Sequence, residues 1–185
     1  MRGLTISNLG CALLGLLHQN PCSGYDLRKI FSTTAMTSYS DSPGAIYPAL
    51  KRLQQQGLIR GNVESGSGMR RRQVFRLTAR GTAELKRWIA RPLVRADVIR
   101  GINEVMLRFA FSEHVAGPSA SVRLLRSLET ELTSYIPELH AQLSAGRATM
   151  PTSGRLALES GIKSYECLLQ WTRDALRTYE HKRKE

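Results

Sequence analysis

The segment SPGAIYPALKRLQQQGLI, residues 42–59, contains a helix together with its start and stop signals, and a run of arginines follows at 70–72. Ser42 can cap the free amides of a first turn, and Pro43 at the first helical position forfeits no hydrogen bond. Ile46, Leu50 and Leu53 recur at i, i+4 and i+7 and define one apolar face. Gly44, Tyr47, Pro48, Lys51 and Gln55 occupy the opposite side, which is small, polar and cationic. Pro48 lacks the N–H that would pair with the Gly44 carbonyl, so the helix must continue with one bond fewer or a tightened first turn. Gly57 fits a left-handed C-cap. A helix of this kind is suited to bury one side and press the other against something anionic.

Around this segment the chain reads as a regular series of elements. A first helix is predicted over Ser7 to His18, with Leu9, Leu13, Leu16 and Leu17 inward. Asn20-Pro21 breaks it, because the residue before proline avoids the helical region. Ser23 then caps a second helix carrying Tyr25, Leu27, Ile30 and Phe31. Thr33 to Asp41 is a polar connection. After the third helix, Leu58 to Val63 reads as a strand and Glu64 to Met69 as a turn containing Gly66 and Gly68. Arg70 to Leu77 returns as its partner, with Phe75 and Leu77 on one face. Thr78 caps a fourth helix through Leu85, Trp88 and Ile89, which stops before Pro92.

Charge separates the two halves. The chain of 185 residues carries a formal net charge of +12, which favours a polyanionic partner, nucleic acid or an anionic membrane surface. Residues 1–90 hold 13 lysines and arginines against four acidic residues, whereas residues 91–185 hold 14 against 11. The excess lies in the half with the basic hairpin, where a footprint for phosphates belongs.

No segment has the apolar length needed to span a bilayer. The run Cys11 to Leu17 ends at His18 and Gln19. Leu9-Gly10-Cys11 looks like a lipoprotein cleavage site, but almost no hydrophobic region precedes it, so a secretory reading fails. Cys11, Cys22 and Cys167 are odd in number and lack ligand spacing. They read as free thiols in a reducing cytoplasm, the expected location, with a redox switch as the lesser alternative.

The second half is helical. Asn103 to Ser112 carries Val105, Met106, Phe109 and Phe111. Pro118 opens a long helix along Val122, Leu125, Leu128, Leu132, Tyr135 and Leu139, expected to kink at Pro137. A loop covers Gly146 to Gly154. In the last helix, Leu158, Ile162, Tyr165, Leu169, Thr172, Leu176 and Tyr179 form a heptad seam that requires a partner helix. That partner is either in the same chain or in a second subunit. Leu158, Ile162, Tyr165, Leu169 and Leu176 are therefore candidate dimerisation residues.

Three helices, a strand, a basic hairpin and a fourth helix, in that order, are a winged helix-turn-helix. The fold class expected is mainly α with a small two-stranded β wing. A DNA-binding domain over 1–92 precedes a helical C-terminal dimerisation domain over 93–185. In such modules the third helix enters the major groove, and the hairpin meets the backbone or minor groove. Lys51 and Arg52 are placed for phosphates or guanine edges and Tyr47 for a phosphate or a thymine methyl, while Gly44 lets the helix N-terminus approach a phosphate. Solvation alone is the plainer role for Lys51, Arg52 and the arginine triplet. Of Arg70, Arg71 and Arg72, at most two can share one face of a strand. Trp88 reads as core or interface packing ahead of a ligand platform, and Tyr25 stands in a similar balance between core and DNA contact. His18, His114, His140 and His181 are scattered, no catalytic, metal-binding or phosphate-loop motif appears, and an enzyme, metal site or cofactor is not expected.

These residues resemble the PadR family of bacterial transcriptional regulators, in the subgroup with a long helical C-terminal region. The resemblance rests on LLGLL, Pro21 with Gly24-Tyr25-Asp26-Leu27, SPGAIYPALKRLQQQGLI and FRLTARG at 75–81, in order and spacing, and more loosely on INEVMLRFAF and the last helix with Tyr165 and Trp171. It implies a homodimer, usually a repressor, on an inverted-repeat operator. It also implies release by a small aromatic or hydrophobic effector in some members, for which Trp88 beside the C-terminal helices is the candidate. By carry-over, Tyr25, Ser42, Gly44, Tyr47, Pro48 and Lys51 face DNA, and Arg70, Arg71 and Arg72 lie on the wing. Cys22 and the arginine-rich wing depart from the usual pattern. The alternative is a winged-helix module whose basic face docks an acidic protein; RNA is a weaker option, because the helix lacks stacking aromatics.

Overall fold

The computed structural model describes residues 6–34, 36, 42–65 and 71–182. Most of the expected connection at 33–41 and the turn at 66–69, together with Arg70, lie outside the described residues. The chain divides into two compact units, Met1–Ala90 and Arg91–Glu185.

In the first unit, α1 (Asn8–Gln19) begins where the Ser7 hydroxyl accepts from the Gly10 amide at 3.2 Å. Every residue from Gly10 to Leu17 is buried, more than the single inward face expected, because α3, α4 and β3 all pack on this helix. β1 (Cys22–Ser23) leads into α2 (Gly24–Thr33), followed by α3 (Pro43–Gln55), β2 (Ile59–Ser65), β3 (Arg71–Leu77) and α4 (Ala79–Ala90). The sheet is antiparallel in the order β1-β3-β2, so the expected two-stranded wing gains a third strand. Two residues are too few to show an alternation in sequence, and only the pairing of Cys22 with Phe75 and Ser23 with Val74 reveals this strand.

α3 follows its sequence signals closely. The Ser42 hydroxyl accepts from the Gly44 amide at 3.2 Å. Ile46, Ala49, Leu50 and Leu53 are buried, and each large aliphatic chain contributes about 2 kcal/mol of burial. The helix continues through Pro48; Gly44 is exposed, so solvent reaches the region of the missing bond. It ends in a Schellman turn, with Leu58 N–H donating to Leu53 O and Gly57 N–H to Gln54 O, both at 2.9 Å, and Gly57 at φ +68°.

The next residues lock that turn. The Thr78 hydroxyl donates to Gly57 O at 2.7 Å and caps α4 by accepting from the Gly81 amide at 3.0 Å. Gly81 lies so close to the Leu58 backbone that a Cβ there would fall 2.0 Å from the Leu58 carbonyl oxygen. This contact accounts for the threonine and glycine of FRLTARG.

The second unit contains α5 (Arg95–Arg100), α6 (Ile102–Ala116), α7 (Pro118–Gly146) and α8 (Thr152–Lys182). α5 is too short for its periodicity to be seen in sequence; it is held by the Asp97 carboxylate, which accepts from the Val94 amide at 3.0 Å and Arg91 at 2.8 Å. α7 passes through Pro137 without ending, and the loop expected over 146–154 shrinks to the residues between Gly146 and Thr152. α7 and α8 run antiparallel, joined by Arg173–Glu129 at 3.0 Å and by the Tyr135 and Tyr165 rings, 5.3 Å between centroids. Arg95 bridges Glu131 and Glu138 and lies 5.1 Å from the centre of the Tyr135 ring.

The α8 seam finds partners inside the chain. Ile162 and Thr172 are buried, and Leu158, Tyr165, Leu169 and Leu176 are half-buried. Tyr165 and Leu169 pack on the core of Val98, Val105, Leu124, Leu128, Leu132 and Ile136, and Tyr179 donates to Glu113 at 2.6 Å. Helices of the same chain thus bury Ile162 and Thr172 of this stripe and leave Leu158, Tyr165, Leu169 and Leu176 partly exposed. The exposed large apolar side chains of α8 are Leu156 and Trp171, the latter with its ring edge-on to Phe109 at 5.5 Å between centroids.

Gly81→Ala is expected to destabilise the chain by about 1–3 kcal/mol, because the displaced group is backbone. Urea unfolding followed by circular dichroism measures this; a midpoint equal to that of the unaltered chain contradicts it.

Candidate nucleic-acid interface

The exposed side of α3 presents Gly44, Tyr47, Pro48, Lys51, Arg52 and Gln55 to solvent, while Ile46 and Leu50 hold the helix to the core. Ser42, also exposed, is occupied in part as the N-cap. This is the face separation that the sequence predicts, because a 3.6-residue period leaves no ambiguity once one stripe is apolar.

The first turn of α2 brings the other elements to it. Ser23 and Asp26 form a reciprocal capping box: Asp26 N–H donates to the Ser23 hydroxyl at 3.2 Å, and Ser23 N–H donates to the Asp26 carboxylate at 3.1 Å. The same carboxylate receives the Arg72 guanidinium from β3. Partial burial acts to raise the Asp26 pKa, but the Ser23 amide and hydroxyl and then Arg72 outweigh it, leaving the carboxyl below its ordinary 3.8. Between Ser23 and Asp26 stand Gly24, against which the Tyr47 ring lies, and Tyr25, 64% exposed. Tyr25, Tyr47 and Arg72 thus meet around one helical turn.

The wing is more differentiated than a run of arginines suggests. Arg72 is tied to Asp26 and is not a freely swinging cation. Arg70 lies outside the described residues, and of Arg71 only its place in β3, opposite Ser65, is described. The register puts Arg60 directly opposite Arg76, on the same face of the hairpin as Arg72. Alternation from Phe75 and Ile59, which are buried, makes this the face turned away from the core. Sequence reasoning missed Arg60 and Arg76, because their juxtaposition depends on strand register. It also missed Asp26, although its position three residues after Ser23 is the spacing of a capping box.

Burial, followed by the Asp26 charge, pushes the Cys22 thiol up against the opposing effect of Arg72, so it is poorly suited to reactive thiolate chemistry. Trp88 is half-buried on α4. Among the described residues, no group of three or more His, Cys, Asp or Glu is placed to hold a metal ion. No helix among them is long and apolar enough to cross a membrane.

Residues 13–87 match the model of the Transcriptional regulator PadR-like family. The chain is 29% identical over 110 residues to the negative transcriptional regulator PadR of Bacillus subtilis (strain 168), which covers 60% of this chain and 59% of that protein. It is 24% identical over 184 residues to a probable transcriptional regulator of Mycobacterium tuberculosis (strain ATCC 25618 / H37Rv), covering 93% of this chain and 97% of that one. The crystal structure of Bacillus subtilis PadR in complex with operator DNA is similar with a TM-score of 0.47 and 22% identity, over 95% of this chain and 99% of that chain.

Asp26→Asn is expected to cost about 0.5–1 kcal/mol at neutral pH, since it weakens a cap and a partly exposed ion pair. The folded chain binds the Asp26 proton less tightly than the unfolded chain does. The stabilisation is therefore complete above the ordinary 3.8 and is lost as pH falls through the lowered value. Urea titrations at neutral and acid pH should show the two chains converging in acid; a constant gap contradicts this assignment.

Proposed function

The chain belongs to the PadR-like family of transcriptional regulators, and on that premise we propose that it is a dimeric repressor holding a palindromic DNA operator. The observation that carries this reading is the solvent-facing side of α3, with Tyr47, Lys51 and Arg52 flanked by the wing and lying in the half that holds most of the net positive charge. The family consists of regulators, not enzymes, and the face has the chemistry of a groove reader.

In this reading α3 enters the major groove. The α3 N-terminus at Ser42 and Gly44 meets a phosphate, Tyr47 and Pro48 meet base edges or sugar, and Lys51 and Arg52 take phosphates or guanine edges. Tyr25 supports the adjoining backbone. Arg70, Arg71, Arg60 and Arg76 of the wing supply positive potential along the duplex, and Arg72, neutralised by Asp26, orients the hairpin. Two-fold symmetry sets the paired α3 helices about 34–36 Å apart, one turn of duplex.

The dimer forms through residues 93–185. The half-buried members of the α8 seam, Leu158, Tyr165, Leu169 and Leu176 beside Ile162, together with the exposed Leu156, are the surface offered to a second copy. A small aromatic or hydrophobic effector, met by Trp88, relieves DNA binding. The expected place of action is the cytoplasm.

A duplex recovered by the chain from a randomised library should be palindromic. On it, Lys51→Ala and Arg52→Ala should each weaken binding and reduce the slope of log affinity against log salt by roughly one. Arg72→Ala should change the slope less, its charge being already paired. Unaltered affinity and slope in both α3 variants, or recovery of no palindrome, overturns this function.

Sedimentation velocity at micromolar concentration should give a dimer that Leu156→Asp shifts toward monomer. A monomeric unaltered chain contradicts the dimer.

A further inference from the structure

We propose that Gly24 is a positioning residue for DNA reading, which by lacking a side chain seats the Tyr47 ring against the first turn of α2 and sets how Tyr47 is presented on α3. The inference rests on the operator-binding reading above and deepens it. A Cβ built on Gly24 would fall 2.6 Å from Cε1 of Tyr47 and 3.4 Å from both Cδ1 and Cζ, and these ring atoms are its three nearest neighbours. Real Cβ atoms essentially never come within 3.0 Å of another heavy atom, so the ring would have to move.

The backbone supplies no other reason for glycine here. Among the described glycines only Gly57 and Gly117 have positive φ, so the conformation of Gly24 is open to any L-residue. Gly24 is the first residue of α2, where alanine is the better helix former. The space left by the absent side chain is therefore a seat for a ring from another helix. Tyr47 is 48% exposed: one part of the ring rests on Gly24 and the other projects from the face that carries Lys51. With the ring seated in this way, its rotamer is chosen before DNA arrives, which lowers the ordering cost of binding. The same turn holds Arg72 through Asp26, so one short stretch of chain sets both the recognition helix ring and the wing.

The test is a double-mutant cycle on the palindromic duplex recovered from a randomised library by the unaltered chain, using Gly24→Ala, Tyr47→Ala and the double variant, with melting temperatures for all four. Gly24→Ala is expected to fold, to bind the duplex roughly tenfold more weakly and to leave the salt slope unchanged, since no charge is lost. In the Tyr47→Ala background, Gly24→Ala should have no further effect, because the group it displaces is gone. Equal affinity of Gly24→Ala and the unaltered chain, with Tyr47→Ala weakened, overturns the inference and leaves the function standing. An equal loss in both backgrounds, or a fallen salt slope, overturns it as well. Loss of folding in Gly24→Ala also overturns it, since glycine then serves the fold and not the presentation of Tyr47. Failure of the unaltered chain to select any duplex removes the function itself.

Discussion

The contact between Gly81 and the Leu58 carbonyl is the constraint on which the first unit is built, because it admits no atom larger than hydrogen between two backbones. It presses the start of α4 onto the turn that joins α3 to β2, and Thr78 ties that turn with hydrogen bonds to the carbonyls of Gly57 and Leu58. Once this junction is closed, the exit direction of α3 and the origin of the hairpin are set together. α1 then fills the space between α3, α4 and β3, which is why it is buried on all sides. The proposed role of α3 needs this rigidity: positional errors of an ångström at the ends of a groove-reading helix become errors of register.

A cationic face is costly to assemble, since Arg60 stands opposite Arg76 and like charges across a strand pair repel. The fold limits that cost by spending one carboxylate, Asp26, on one arginine of the wing. The pairing also anchors β3 to α2, so a residue that reads as one more phosphate ligand acts partly as a brace. Asp26 is one of only four acidic residues in the first 90, and its placement in the α2 cap lets a single side chain satisfy the helix end and the wing at once.

The second unit answers in part a need that heptad spacing sets. A stripe of leucines and tyrosines at alternating three and four needs a facing helix but does not specify whose. α7 lies antiparallel to α8 and meets part of that need, with Arg95 bridging to it from α5. The buried Arg108 guanidinium, which donates to the Arg91 carbonyl, has its pKa lowered by burial and then by Arg91, against the opposing pull of Asp97 and Glu104. A charge in such a position has no counterpart in the apolar spacing of α6 and becomes legible only when the helices are packed.

Residues 42–59 and 75–81 carried their structure in plain view: a serine cap, an apolar stripe, a glycine in the left-handed region, then a threonine cap. Each of these signals acts over one or two turns, so local chemistry suffices to specify the element, its ends and its buried face. The side of α3 left for a ligand follows by subtraction. Tertiary structure alone decided that Arg72 is paired with Asp26, that Arg60 and Arg76 face each other, that Cys22 and Ser23 join the sheet and that Ile162 and Thr172 of the α8 seam are buried within the chain. It also decided that Gly24 makes room for Tyr47. These are meetings of groups distant along the chain, whose energies depend on register and separation in space, and a one-dimensional pattern holds neither quantity.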